Sequence, residues 1–402
     1  MSAGARRRET VAPGAAPPGM IPLAVPWLGE LEWAFVKEAL DTNWVSSVGP
    51  FVDRFERETA AVVGARHAVA VSSGSAALHI ALLLAGVEAG DEVIMPTLTF
   101  IAPANAVSYI GASPVFVDCE PDYWQLDVAK VEEFLERECN PEGGGVVNRT
   151  TGRRIAALLP VHVLGHPVDL DPLMELAGRY ELPVVEDAAE VIGASYRGRS
   201  PGTFGLVGCL SFNGNKVITT GGGGMLLTDD PELADRAQYL VTQAKDDAVE
   251  YIHGEVGFNY RLSNVLAAIG CAQLAVLERN VEAKRRIAKT YTDAFADVRG
   301  LTPMQEASWA RSTFWLYTVR VDQREFGMDS RDLLRRLSDR GIQARPLWQP
   351  LHLSAPFGDC TAYRCETAVA VESEALSLPS SSGLQPDEQA RVIEAVLREA
   401  SR

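Results

Sequence analysis

Lys216 stands between a polar turn and four consecutive glycines, Gly221 to Gly224, in the stretch SFNGNKVITTGGGGMLLTDD, residues 211–230. A lysine beside apolar, strand-like residues and bare backbone suits an amine held against a flat bound molecule. Glycine lets a backbone approach a ligand closely or take positive φ. Desolvation lowers a lysine's proton affinity and makes the amine a nucleophile able to form a Schiff base. From this stretch alone, a surface lysine beside a glycine turn reads equally well.

Two further groups decide between these readings. Asp187 ends the apolar run LPVVEDAAE, residues 182–190, where a carboxylate is costly unless it meets a cation or a strong donor. Gly74, Ser75 and Ala76 follow the apolar segment HAVAVSS and open a strongly apolar helix, AALHIALLLAG. A helix beginning straight after a strand presents free N–H groups and a positive dipole end, an anion site. A lysine, an acid and an anion cradle on one sheet rim match the needs of pyridoxal 5'-phosphate. Its aldehyde takes the lysine, its ring nitrogen needs an acid to stay protonated, and its phosphate needs the cradle. Phe100 is placed to stack on the ring, although aromatic residues more often serve the core.

The elements that must position these residues form a βα rhythm. Strands are expected at 67–73, 90–96, 113–118, 155–165, 182–190, 205–213 and 223–230, with helices between most of them. Alternation of this kind predicts an α/β domain, a mostly parallel sheet covered on both faces, with ligands beyond the carboxyl ends of its strands. Residues 139–154 are polar and glycine-rich and predict a surface hairpin. Helical spacing over 29–41 and 51–64 predicts two N-terminal helices. After about residue 286 the composition changes to a smaller α+β domain with a terminal helix, PDEQARVIEAVLREA. The expected organisation is therefore an extension over 1–20 that is disordered, a large domain over 21–285 and a small domain over 286–402. Met20 reads as a natural start.

The chain has 402 residues and a net charge of -16, which argues against nucleic acid or an anionic membrane as partner. No apolar run is long enough to span a bilayer. Six scattered cysteines, without metal or redox spacing, favour a cytoplasmic protein and no metal site.

The motifs SSGSAALHIAL (72–82), PTLTFIAPANAV (96–107), PVHVLGHPVD (160–169), VVEDAAEVIGA (184–194), GTFGLVGCLSFNGNKVITTGGGGM (202–225) and GFNYRLSNVLAAIG (257–270) together resemble the DegT/DnrJ/EryC1/StrS aminotransferases, from about Ile21 onward. The resemblance implies a fold-type-I pyridoxal-phosphate enzyme acting on a nucleotide-linked keto sugar. It makes Lys216 the cofactor's lysine and catalytic base, Asp187 the partner of the ring nitrogen, and Glu190 a neighbour of the ring hydroxyl. Ser75, Ala76 and Ser211 become phosphate contacts. Asn259 becomes a contact to the neighbouring subunit's phosphate, implying a homodimer with shared sites. Read without the family, Glu190 fits a helix-start acid and Ser211 an ordinary strand residue.

Three positions depart from the family pattern. Ser75 stands where Thr is common, Leu206 replaces an Asp, and Ile192 stands where many members have His. Lys216 itself is present; members with His there are dehydratases, so transamination is expected.

The resemblance leans toward the branch making UDP-linked 4-amino-4,6-dideoxy-N-acetylglucosamine, with L-glutamate as donor. A GDP-4-keto-6-deoxymannose (perosamine) or keto-cyclitol aminotransferase is the alternative, and a non-catalytic regulatory module is the reading of another class. Trp44, Ser46 and Gly49 are expected to cover the sugar, with Arg345 and His352 meeting the nucleotide. His162 is also a substrate candidate, although a structural histidine is the stronger reading. Arg345 serves solvation equally well.

Overall fold

The computed structural model describes residues 19–142, 145–247 and 249–400. The extension expected over residues 1–20 lies almost wholly outside them. Among the described residues, seven strands form the centre of the large sheet: β1 (His67–Val71), β2 (Glu92–Pro96), β3 (Ser113–Val117), β4 (Arg154–Leu158), β5 (Val185–Asp187), β6 (Val207–Ser211) and β7 (Gly224–Thr228), with Ala362–Tyr363 added parallel beside β3. Pairing runs β1–β7–β6–β5 and, on the other side, β4–β2–β3. Single bridges Leu158↔Val184 and Val161↔Asp187 join the halves into one sheet. Only β7 runs antiparallel to its neighbours, pairing both β1 and β6 in that sense. The expected parallel α/β sheet is therefore present, with one reversed strand.

The strands are short and wholly or largely buried, as Val- and Leu-rich strands covered on both faces must be. The segment 139–154 does form a hairpin, and its second arm also pairs antiparallel with β4, extending the sheet at that strand's start.

The parallel strands all end on one edge of the sheet. Beyond β1 begins α1 (Gly74–Leu84), capped by Ser73, whose Oγ accepts from Ala76 N at 3.1 Å. Because β7 is reversed, its first residues enter from the same edge, and the glycines leading into it lie against the start of α1. A Cβ on Gly224 would sit 2.4 Å from the Ser73 carbonyl oxygen, so no other residue fits there.

The C-terminal part carries an antiparallel sheet of Leu301–Pro303, Tyr317–Val321, Ala375–Leu378 and Arg345–Pro346, in that order. The helix Leu277–Phe295 runs unbroken through residue 286 and buries one face against this sheet. Ile21 bridges Ile342, so the start of the described chain is stitched to the C-terminal part.

Candidate active site

After β6 the chain folds back on itself. Phe212 N donates to Gly223 O at 2.9 Å, Thr220 N to Phe212 O at 2.9 Å, and Lys216 N to Asn213 O at 3.0 Å. This closed loop aims Lys216 into a cavity of about 330 Å³ over the sheet edge. Its Nζ donates to Glu190 Oε1 at 3.1 Å and lies 4.1 Å from the centre of the Trp315 ring. The Trp315 indole N–H in turn donates to Asn215 O at 2.7 Å, so the tryptophan and the lysine's loop are tied together.

Asp187 and Glu190 form the acidic floor, and both are buried. Desolvation pushes Asp187 above the ordinary carboxyl range, against the Ala189 N–H, Lys216 and His162. Among the described residues no cation forms an ion pair with it; its carboxylate's one hydrogen bond is from Ala189 N at 3.1 Å. Desolvation also raises Glu190, opposed by Lys216 and by the Leu164 N–H, which donates to Oε2 at 2.8 Å. Such perturbed acids in a cleft mark functional sites more often than structural ones.

The anion cradle is the N-terminus of α1. The N–H groups of Gly74 and Ser75 have no carbonyl within the helix to donate to. Ser75 and Ser211 both line the cavity. A Cβ on Gly74 would lie 2.9 Å from the Ser211 Cβ, so the close approach of β1's turn to β6 requires glycine. The Ala76 N–H donates to Ser73 Oγ at 3.1 Å, and Ala76 does not line the cavity, unlike Gly74 and Ser75.

These residues fit pyridoxal phosphate. An amine, a buried carboxylate lacking a cation and a cluster of free N–H and hydroxyl donors face one cavity, and Phe100, 53% exposed, stands at its margin.

The six residues expected at the substrate are not among those lining this cavity. His162 is wholly buried, its Nε2 3.0 Å from Glu186 Oε2 and its Nδ1 accepting from Val168 N at 3.0 Å, so both ring nitrogens are occupied. Trp44, Ser46 and Gly49 belong to a loop pinned by Asn264, which donates its Nδ2 to Trp44 O at 2.8 Å and its backbone N to Ser46 O at 2.6 Å. Gly49 is packed so closely that a Cβ would meet the Asn264 side chain at 2.5 Å. Arg345 is exposed, with its guanidinium on Ala344 O, and His352 is held by Thr97 Oγ1 at 2.7 Å. Asn259 is exposed outside the cavity, its Oδ1 accepting from Gln243 at 3.1 Å. Of the departures from pattern, Ile192 is buried core and Leu206 a partly exposed strand-entry residue.

Sequence reasoning missed the opposite wall, Trp315 and Trp348. Their rings stack at 11° with centroids 6.5 Å apart, and both line the cavity. The available signal was two tryptophans in otherwise ordinary segments, TFWLYTVRVD and ARPLWQPLHL.

Comparison with known proteins places this arrangement. The model of the DegT/DnrJ/EryC1/StrS aminotransferase family matches residues 26–397. The chain belongs to that family. It is a pyridoxal phosphate-dependent aminotransferase. EpsN of Bacillus subtilis (strain 168) is 40% identical over 379 residues, 93% of this chain and 94% of its own. A GDP-perosamine synthase of Caulobacter vibrioides is 40% identical over 379 residues, 94% and 97% of the two chains. The crystal structure of DesV from S. venezuelae superimposes with a TM-score of 0.83 at 35% identity, covering 95% of this chain and all of that one. No helix among the described residues is long and apolar enough to cross a membrane.

Proposed function

We propose that this enzyme moves the amino group of L-glutamate to the C4 keto carbon of a nucleotide-linked sugar, releasing 2-oxoglutarate, and that the acceptor is GDP-4-keto-6-deoxymannose. The sequence motifs favoured a UDP-linked acetamido sugar and kept the GDP sugar as the alternative. Similarity to GDP-perosamine synthases of Caulobacter vibrioides, Escherichia coli O157:H7 and Vibrio cholerae reverses that order. The observation that carries the reaction class is the Lys216 amine poised between Glu190 and the Trp315 ring above a buried, uncompensated Asp187.

The residues divide the work. Gly74 and Ser75 N–H groups, with the Ser75 and Ser211 hydroxyls, hold the cofactor phosphate. Asp187, buried in the cavity floor, would hold the ring nitrogen and favour its protonated form. The bound cofactor supplies an electron sink for the carbon losing its proton. Lys216, whose amine faces the cavity, would be the group that holds and moves the proton there. Glu190 holds the Lys216 amine in place through Oε1 and is itself held by Leu164 N through Oε2. Trp315 and Trp348 form the wall facing the sheet edge and keep water from the reacting carbon. Asn259, pointing away from its own cavity, serves a partner's phosphate in a homodimer. All six cysteines are free, which suits the reducing cytoplasm where nucleotide-sugar precursors of glycans are made.

Turnover efficiency on the two ketosugars with L-glutamate tests the assignment. The GDP sugar should be preferred by about tenfold or more, the 1.4 kcal/mol that one good specificity contact supplies. Preference for UDP-2-acetamido-4-keto-2,6-dideoxyglucose restores the motif-based order, and preference for a free cyclitol ketone removes the nucleotide from the account.

A further inference from the structure

Lys284 sits in the middle of the helix Leu277–Phe295 and is 4% exposed. Its Nζ donates to two backbone carbonyls, Trp315 O at 2.9 Å and Ser380 O at 2.7 Å. Among the described residues no carboxylate pairs with it, and burial pushes the amine down to about 7. A buried amine without a counter-charge is an expensive way to fill space, since an apolar side chain of similar volume would pack there at less cost. Its two acceptors say what it is for. One is the carbonyl of the residue whose ring covers Lys216.

The Trp315 backbone needs such an anchor. The chain reaches it through Phe314, whose φ of 49° is disfavoured for an aromatic residue and persists only where the surroundings over-determine it. On one side Thr313 N donates to Gly165 O at 2.9 Å and Phe314 N to Ser312 Oγ at 3.0 Å. Gly165 is so close that a Cβ would lie 2.6 Å from Trp315 N. On the other side stands Lys284. Beyond the backbone, the indole runs to Asn215 O and presents its face to Lys216 Nζ. The two lysine amines therefore hold opposite ends of one residue.

We propose that Lys284 is a positioning residue: it fixes the Trp315 backbone so that the indole face stays against Lys216, and so sets the surroundings in which the Lys216 amine works. A ring face stabilises a cation above it, tryptophan most strongly. Besides that ring, Glu190 and Asp187 are the ionisable groups that face Lys216. The proposal rests on an aminotransferase reaction at Lys216 and is independent of which nucleotide sugar is accepted.

The test uses the holoenzyme and needs no sugar. The pH midpoint of the bound cofactor's absorbance band and the single-turnover rate with L-glutamate are measured for wild type, Lys284→Met, Lys284→Gln, Trp315→Leu and Lys284→Met/Trp315→Leu. Lys284→Met should lower the midpoint by about half a pH unit or more and slow the half-reaction about tenfold. Trp315→Leu should shift the midpoint in the same direction, and the double variant should go no further than Trp315→Leu alone. Lys284→Gln, which keeps an N–H donor, should recover part of the loss, and in combination with Trp315→Leu it supplies the same cycle if the methionine variant does not fold. A Lys284 variant that melts earlier but keeps midpoint and rate within twofold overturns the proposal. So do effects that multiply in the double variant, because Lys284 would then act without Trp315.

Discussion

The two walls of the cavity are built on different terms. One wall is the rim of the large sheet: Asp187 at the end of β5, Ser211 at the end of β6, Gly74 in the turn after β1, and Lys216 in the closed loop beyond. Each is placed by strand register, and each lies within a few residues of the strand that places it. The other wall is Trp315 and Trp348, brought from the C-terminal part by a backbone held in αL at Phe314 and by hydrogen bonds to Gly165, Asn215 and Lys284. The polar groups that do chemistry stand on the rigid wall. The apolar surface of the cavity stands on a wall that depends on long-range packing.

The sharpest way to break this division is on the rim. Lys216→Ala should lower turnover by about 10⁴-fold or more, because among the described residues no other amine lines the cavity, yet still bind cofactor non-covalently. Retained turnover, measured with a coupled 2-oxoglutarate assay, would move the reacting amine elsewhere. Asp187→Asn comes next, with an expected loss of about 10²-fold at unchanged fold, since a weakly protonated ring nitrogen is a poorer sink.

Asp187 also makes a pH prediction. Its proton is held more tightly in the folded cofactor-free protein than in the unfolded chain, as is that of Glu190. The folded state then carries more protons from about pH 4 upward, so these groups cost stability as pH rises through their folded values. A cofactor ring nitrogen held by Asp187, as proposed, would relieve that cost. Thermal melts should therefore show a cofactor-induced gain in Tm that is larger near neutrality than near pH 5, with Asp187→Asn flattening the trend. A gain independent of pH in both proteins would separate Asp187 from the cofactor. Glu186 works the other way: burial raises it, but His162 and the Gly202 and Gly205 N–H groups outweigh that and hold it low, which is why the difference between the two proteins, not either curve, is the readout.

The smallest effect belongs to the aromatic wall. Trp348→Ala should raise KM for the ketosugar about fivefold with kcat nearly unchanged, the pattern of binding shared by ground and transition states. An equal fall in kcat would give Trp348 a part in the chemistry.

The contrast also explains what could be read from the sequence. The sheet, the strand ends and the Gly74–Asp187–Lys216 set were legible because local signals encode them: β-branched runs, a glycine at a strand–helix turn, a carboxylate where apolar residues end. The reversal of β7 was hidden, since buried strands read alike in either direction. So was the tryptophan wall, because nothing local tells a cavity-lining indole from a core one. His162 illustrates the reverse problem. It sits at a strand end beside the site, but the Glu186 carboxylate and Val168 N–H, from other segments, occupy its two nitrogens. Trp44, Ser46 and Gly49 sit in a loop held by Asn264, more than 200 residues later, a contact no local signal announces.

The most direct test of the central claim is borohydride reduction of the purified enzyme followed by peptide mapping. The account predicts a yellow protein that bleaches on reduction and carries one cofactor-derived mass addition, on Lys216 in the peptide spanning SFNGNK. A label on Lys284 or on any other lysine, or a protein that binds no cofactor while turning over, would contradict it.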